Sequence, residues 1–355
     1  MRKIGFLQLG LTFAGCFLGA GYVSGQEMWQ FFGRFGKSGF LGLIFAIGIL
    51  CLVGAIMLLL TQMTGILDTD RLLAEGDHPL LRTFITLFEF AFLFSVSVIM
   101  TAGVGALGEE LLSIPPWLGC LVFTIVITIC AFTGLRGMVT AFSATVPILV
   151  LAAIAFGVNT LIRGDINIAS VSLGSSSNPL LRFWPLAALS FACFNMFCSV
   201  AIIAPLGVSL KSRSTIFGGI ALGAVLLLAV ALSILLTVSS AGTGGMELPM
   251  LSAALEISHT LGMIYGILLF FAMFGTCLSN TIAFLRVVGR KSAYAASHRT
   301  LLYIVCGAAV FACSLFGFGD LIGTLYPIFG YCSSVFIVML VVRFCKLRRQ
   351  KATIK

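Results

Sequence analysis

Charge is what this sequence has least of. Lys and Arg number 21 and Asp and Glu 12 in 355 residues, 9% charged, against roughly 25% in an ordinary soluble domain. A water-facing surface cannot be tiled from that supply, which excludes a soluble globular protein. Histidine is also scarce: His78, His259 and His298 stand far apart and off ligand spacing, which excludes a His-built metal cluster. There is no C-x-x-C, H-E-x-x-H or G-x-S-x-G run and no pair of Asp residues at membrane depth. No enzymatic reaction is expected from such a chain. The net charge of +9 is distributed over the ends of apolar runs and forms no contiguous basic face, so nucleic acid is not an expected partner.

What is there is apolar. Sixty per cent of the residues are hydrophobic and the mean hydropathy is +1.15, so the side chains must face lipid. The eleven cysteines sit inside apolar runs and read as small hydrophobes. At about 20 residues per helical span the length accommodates roughly ten spans and no sizeable soluble domain. Runs bounded by charges or turn residues place them at 5 to 34, 38 to 64, 82 to 107, 117 to 134, 137 to 161, 183 to 208, 215 to 240, 260 to 286, 299 to 318 and 321 to 345. The expected class is an all-α integral membrane protein with one transmembrane domain over 1–355, followed from 346 by a short basic tail.

With the amino terminus in the cytoplasm, 17 of the 21 basic residues fall inside and only Arg34, Lys37, Arg163 and Arg182 outside. That asymmetry predicts a multi-pass protein of the cell membrane with both termini cytoplasmic. Arg2-Lys3 and the apolar stretch to Phe13-Ala14-Gly15-Cys16 have the outline of a lipoprotein signal, but nine further spans argue against a cleaved leader. Two pieces do not span. Gly65 to Leu81 is expected to be a surface helix, and Leu248 to Glu256 a lid over the entrance to a central cavity.

The first span contains Gly19-Ala20-Gly21-Tyr22-Val23-Ser24-Gly25-Gln26-Glu27. Three glycines among polar residues lower helix propensity at a depth where unpaired backbone is costly, so a break there must line a cavity. Ser24-Gly25-Gln26-Glu27 fits a capping box that restarts the helix at Ser24. Amides exposed at the break would suit a substrate carboxylate, and the carbonyls before it a cation. Close packing of helices through small residues is the alternative. Glu27 has two readings, cap or proton carrier.

Half a chain later the sixth span carries Asn195 among large apolar residues. It either unwinds the helix locally and meets substrate, or bonds to a neighbouring helix. Glu89, inside the third span, must be paired or face water, as a proton or cation site or as a structural ion-pair partner. Thr276, Ser279, Asn280 and Thr281 put side-chain oxygens on adjacent faces of one turn of the eighth span, fit for a hard monovalent cation or for interhelical hydrogen bonds.

Gly19 to Glu27, with Gln30-Phe31-Phe32, Phe35-Gly36-x-x-Gly39 and Thr101-Ala102-Gly103-Val104-Gly105-Ala106 before Glu109-Glu110, resembles the YkvI-type membrane proteins of the amino acid/polyamine/organocation superfamily. The resemblance runs over nearly the whole chain. It implies the LeuT-type fold, a five-plus-five inverted repeat (about 5–161 and 183–345) with helices 1 and 6 broken. Substrate would then contact Gly19, Ala20, Gly21, Tyr22 and Ser24 on the first helix, Phe92 on the third and Phe191, Ala192 and Asn195 on the sixth. A sodium ion, the one candidate cofactor, would use the Gly15 and Leu18 carbonyls with Thr276, Ser279 and Asn280, although Asn280 departs from the usual hydroxyl. The fifth span lacks the lysine that replaces sodium in some relatives, leaving Glu89 or Glu27 for proton coupling. The expected activity is secondary transport of a small solute, an amino acid or related zwitterion or carboxylate. The alternative is a ligand sensor on the same fold, like a germinant-receptor subunit.

Overall fold

The computed structural model describes residues 4–66, 79–133, 145–164, 178–210, 212–291 and 297–353. Among them every regular element is a helix. We number the α-helices α1 (Phe6–Phe17), α2 (Ala20–Val23), α3 (Gln26–Phe31), α4 (Lys37–Thr64), α5 (Pro79–Leu112), α6 (Pro116–Thr133), α7 (Thr145–Arg163), α8 (Trp184–Ser209), α9 (Arg213–Ala241), α10 (Pro249–Ile257), α11 (His259–Lys291), α12 (Arg299–Ser314) and α13 (Phe318–Thr353). Each of the ten expected segments coincides with one of these helices, the first being divided into α1, α2 and α3. Six helices are long and apolar enough to cross a membrane, and α8 makes a seventh if its bent halves form one span. The helices α1, α6 and α12 are shorter apolar pieces. The expected surface helix lies largely outside the described residues, as does the start of the fifth expected span.

Glycines set the closest helix contacts. Leu9 and Phe13 of α1 seat against Gly219 and Gly223 of α9, and Phe13 also against Gly54 of α4. A β-carbon on any of these glycines would overlap the facing side chain, so the small-residue positions fix how near the first, second and seventh spans come. Only one face of α1 is packed in this way. On the other, Gly15 and Gly19 are exposed and a β-carbon added to either would meet no atom within 4 Å.

Two prolines shape the second half of the bundle. The halves of α8, Trp184–Val200 and Ile202–Ser209, are bent by 63°. Pro205, inside the helix, has no N–H for the carbonyl four residues back, at Ala201, and its ring crowds that oxygen, a combination that costs about 3 kcal/mol in a helix interior. The bend therefore falls in the turn before Pro205. No unwinding occurs at Asn195, contrary to one of the sequence expectations, because its Nδ2 donates to Phe191 O at 3.1 Å and the helix continues through it. Pro327 in α13 likewise leaves the Gly323 carbonyl without its intrahelical donor, and Asn178 Nδ2 supplies one at 2.7 Å.

The segment expected to be a lid forms α10, with Pro249, Met250, Leu251, Ala253 and Ala254 buried. Its Met250 amide donates to Ser24 O at 3.0 Å, and Ser252 Oγ donates to Glu110. Just before α10, Glu247 Oε2 accepts from the Gly319 amide at the start of α13 at 2.7 Å. Gln30 Nε2 reaches Gly319 O at 3.3 Å. On this lid side the first, third and tenth spans are thus tied together through α10 and its approach.

Candidate functional site in the broken first span

The helical hydrogen-bond ladder of α1 ends at Leu18, whose amide bonds to Ala14 O, while the Gly19 amide turns to Phe17 O at 2.9 Å. Gly19 is extended, with φ −91° and ψ 178°. The Gly15 carbonyl loses the amide that would have reached it from Gly19, which leaves an acceptor at the break. The new helix α2 lasts four residues. Its first ladder bond is Val23 N to Gly19 O at 3.1 Å, so the amides of Ala20, Gly21 and Tyr22 have no intrahelical acceptor.

A second break follows at Gly25, whose φ of +86° belongs to the left-handed region that glycine enters without steric penalty. It replaces the expected capping box. Ser24 Oγ accepts from the Gln26 amide at 3.3 Å and donates to Gly21 O at 2.7 Å. The Ser24 amide bonds to Ala20 O, so it is not available to Glu27. With the backbone reversed at Gly25, the Glu27 side chain is directed back to Gly21 instead of onto Ser24. The capping role read for Glu27 is therefore not realised.

The short α2 is held from two sides. Tyr22 Oη donates to Leu227 O of α9 at 3.2 Å, and Tyr265 Oη of α11 donates to Val23 O at 2.5 Å. Around it Phe191 packs edge-on to Phe32 and Phe31, with ring centroids 5.0 and 5.4 Å apart, and lies 6.4 Å from Tyr22. Ala192 is fully buried and Asn195 is 5% exposed. Of the sixth-span residues expected on the substrate side, Phe191 therefore packs against the first span, while Phe92 belongs to a neighbouring aromatic group. Phe92 contacts Phe194 at 5.9 Å and Phe329 at 5.4 Å.

Glu27 is 5% exposed, and its carboxylate presses on the α-carbon of Gly21 so closely that any β-carbon there would overlap Oε1. The same added β-carbon would stand 3.4 Å from Tyr326 Oη. Glu27 Oε2 is sealed from solvent without a hydrogen-bond partner, as are Gln26 Oε1 and Gln30 Oε1 on the same short helix. Tyr22, Cys198 and Tyr326 all lie within electrostatic reach of the carboxylate. Sequence reading missed Tyr326 and Phe194, whose rings stack at 4.1 Å. Neither carries a local signal, because both reach the site from helices more than a hundred residues away in the chain.

Glu89 is exposed. Yet it does not share the outward row of Phe84, Leu87 and Ala91. By helical spacing it lies opposite that row, between Phe88 and Phe92, which pack on phenylalanines of α8 and α13, and Phe90 and Phe94, which pack on Phe284 of α11. Its exposure sets it apart from the buried and half-buried phenylalanines beside it on that side of α5.

On α11 the half-buried Thr276, Ser279 and Asn280 use their donors on their own helix: Thr276 Oγ1 to Ala272 O, Ser279 Oγ to Thr276 O and Asn280 Nδ2 to Thr276 O, at 2.9, 3.0 and 2.8 Å. With the protons turned inward, the oxygen lone pairs remain for an outside ligand. By helical spacing the three share the face from which Tyr265 reaches the first span. Thr281 is on a different face, donating to Ser97 Oγ of α5 at 3.1 Å. Among the described residues no group of three His, Cys, Asp or Glu side chains could hold a metal ion.

No family model matches the chain. It is similar to the Bacillus subtilis (strain 168) "Uncharacterized membrane protein YkvI", 25% identical over 354 residues that span 96% of this chain and 97% of that one. It is also similar to "Uncharacterized protein YyaD" of the same organism, 25% identical over 339 residues, 93% and 94% of the two chains. Among solved structures it is similar to the inward-facing conformation of Mhp1, with a TM-score of 0.60 and 16% identity over 98% of this chain and 78% of that one. MhsT in complex with L-phenylalanine gives a TM-score of 0.55 and 18% identity over 96% and 90%. The fold is of the LeuT type. The chain is a multi-pass membrane protein whose first span is broken twice and whose α8 is bent past Asn195.

Proposed function

We propose that this protein is a secondary transporter of a small solute, an amino acid or related zwitterion, working by alternating access with both termini in the cytoplasm. One observation carries the reading. The lid side of the bundle is closed by the Met250 to Ser24, Glu247 to Gly319 and Gln30 to Gly319 hydrogen bonds, while Gly15 and Gly19 at the first break and Glu89 in the third span are exposed. A site at a helix break, closed on one side and open on the other, is one of the two end states of an alternating-access cycle. The transporter neighbours of the same fold agree with it.

Coupling has two candidate seats. Thr276, Ser279 and Asn280 with the Gly15 and Leu18 carbonyls would make an all-oxygen set suited to sodium, and for proton coupling the carboxylates are Glu89, which is exposed, or Glu27. Uptake into liposomes containing only this protein, with sodium or with choline in its place and with or without a pH gradient, tests the reading. Accumulation of a labelled amino acid driven by either gradient supports transport. Binding without accumulation under any gradient would make the protein a sensor on the transporter fold.

A further inference from the structure

The group left unexplained by the fold is the Glu27 carboxylate. It is more than nine-tenths buried, and neither of its oxygens has a hydrogen-bond or ion-pair partner among the described residues. Burying a carboxylate is expensive unless a donor or a positive charge accompanies it. No described residue around it supplies one: Gly21 offers an α-carbon, Tyr326 brings its hydroxyl to the same face of Gly21 without bonding to Glu27, and Cys198 is a thiol. With no described residue as its partner, the carboxyl either holds a proton or meets a group from outside the chain.

The walls indicate which kind. Tyr326 stacks on Phe194 at 4.1 Å, Phe194 meets Phe92 at 5.9 Å, and Phe92 meets Phe329 at 5.4 Å. Asn195 and Cys198 are one helical turn apart on α8, and Phe194 is four residues from Cys198, so all three present to the same side. A hard metal cation needs about six oxygens around it, and this neighbourhood is aromatic. A carboxylate set among aromatic rings suits an organic ammonium, which takes the charge at one point and the π-faces around the rest. A substrate carboxylate at Gly21, by contrast, would meet the protein's own carboxylate at the same glycine.

We propose that Glu27 is the counter-charge for a cationic nitrogen of the transported solute, seated between Gly21, Tyr326 and the Phe194 ring, so that the solute class is defined by an amine and not by a carboxylate. This rests on the transporter reading for the site's purpose, and its test separates the two. The measurement is the melting temperature of the purified full-length protein with matched triplets: alanine, ethylamine and propionate; leucine, isoamylamine and 4-methylpentanoate; phenylalanine, phenethylamine and 3-phenylpropionate. Ligands that bind the folded state raise it by mass action. In at least one triplet the amine-bearing members should raise the melting temperature and the acid should not. Glu27→Gln should remove the shift, and Glu27→Asp, which keeps the charge on a shorter arm, should retain the amine preference with a smaller shift.

Several outcomes would overturn the proposal: a shift by the acids, an amine shift that survives in a folded Glu27→Gln protein, or no shift by any amine-bearing compound. A shift by sodium alone that Glu27→Gln abolishes would make Glu27 an inorganic cation site and overturn it as well. Should Glu27→Gln fail to fold, Glu27→Asp and Tyr326→Phe decide instead, because an unchanged amine shift in both contradicts the seat. Uptake into liposomes stands apart: Glu27-dependent amine binding without uptake keeps this inference and ends the transporter reading, while uptake of plain acids keeps transport and ends this inference.

Discussion

Tyr265 reaches across from the eighth span to give its hydroxyl proton to Val23 O at 2.5 Å, and so fixes a four-residue helix that has little ladder of its own. Both groups are buried. Tyr265→Phe removes the donor and leaves the Val23 oxygen without it, a loss of about 1–3 kcal/mol for a buried pair. The expected result is a lower melting temperature and weaker substrate binding together. Unchanged binding in Tyr265→Phe would mean that α2 keeps its place without the tether.

Gly25 sits at φ +86° with Met250 of α10 directly over it. Gly25→Ala puts a side chain into the left-handed region, about 1–2 kcal/mol, and drives a methyl group into Met250. The variant should be less stable and should loosen α10 from the first span. Limited proteolysis between Thr243 and Ile257 is the check, with faster cleavage expected than in the wild type.

Gly21→Ala tests the other glycine. Its β-carbon would overlap Glu27 Oε1, so the carboxylate must leave its seat while the helix, which prefers alanine, is not weakened. Ligand-induced stabilisation should be lost with the unliganded melting temperature nearly kept. Retention of the ligand shift would show that the carboxylate has room to move and that the helix break is not the seat of binding.

Glu247 joins the approach to α10 to the Gly319 amide at the start of the tenth span. Glu247→Ala should release the lid side and move the population toward the state open there. A single cysteine placed at Gln26 should then react faster with a membrane-impermeant thiol reagent added from outside. An unaltered rate would assign Glu247 to helix capping alone.

Glu89, exposed within the third span, gives a prediction in pH. If it carries the coupled proton, the pH profile of uptake contains a titration that Glu89→Gln removes while Glu89→Asp retains it. A sodium-driven profile identical in all three proteins would place coupling on Thr276, Ser279 and Asn280.

The parts of this architecture legible in the sequence are those set by local composition. Apolar runs of helical length gave the ten segments, and the cluster of glycines from Gly19 to Gly25 gave the broken first span, because both depend on what a membrane does to unpaired backbone. In the sixth span the unwinding was expected at Asn195, whereas the helix bends past it, in the turn before Pro205. What could not be read was direction. Whether Glu27 turns back onto Ser24 or on to Gly21 is decided by the handedness of one glycine, and whether Glu89 faces lipid or water is decided by the packing of Phe88 and Phe90 against three other helices. Tyr326 and Phe194 become site residues only when α8 and α13 are laid together.

Pro327 leaves the Gly323 carbonyl to Asn178, and Tyr331, one turn further along the same helix, donates to Leu180 O. Both acceptances and donations land on the few residues that lead from the fifth expected span into the sixth. The midpoint of the chain is thus moored to its last helix at two points, on either side of a proline that makes that helix pliable. Rocking of the tenth span would therefore pull directly on the junction between the first five spans and the second five, and because Tyr326 lies on the same helix between the two moorings, the centre of the sequence and the site would feel that motion together.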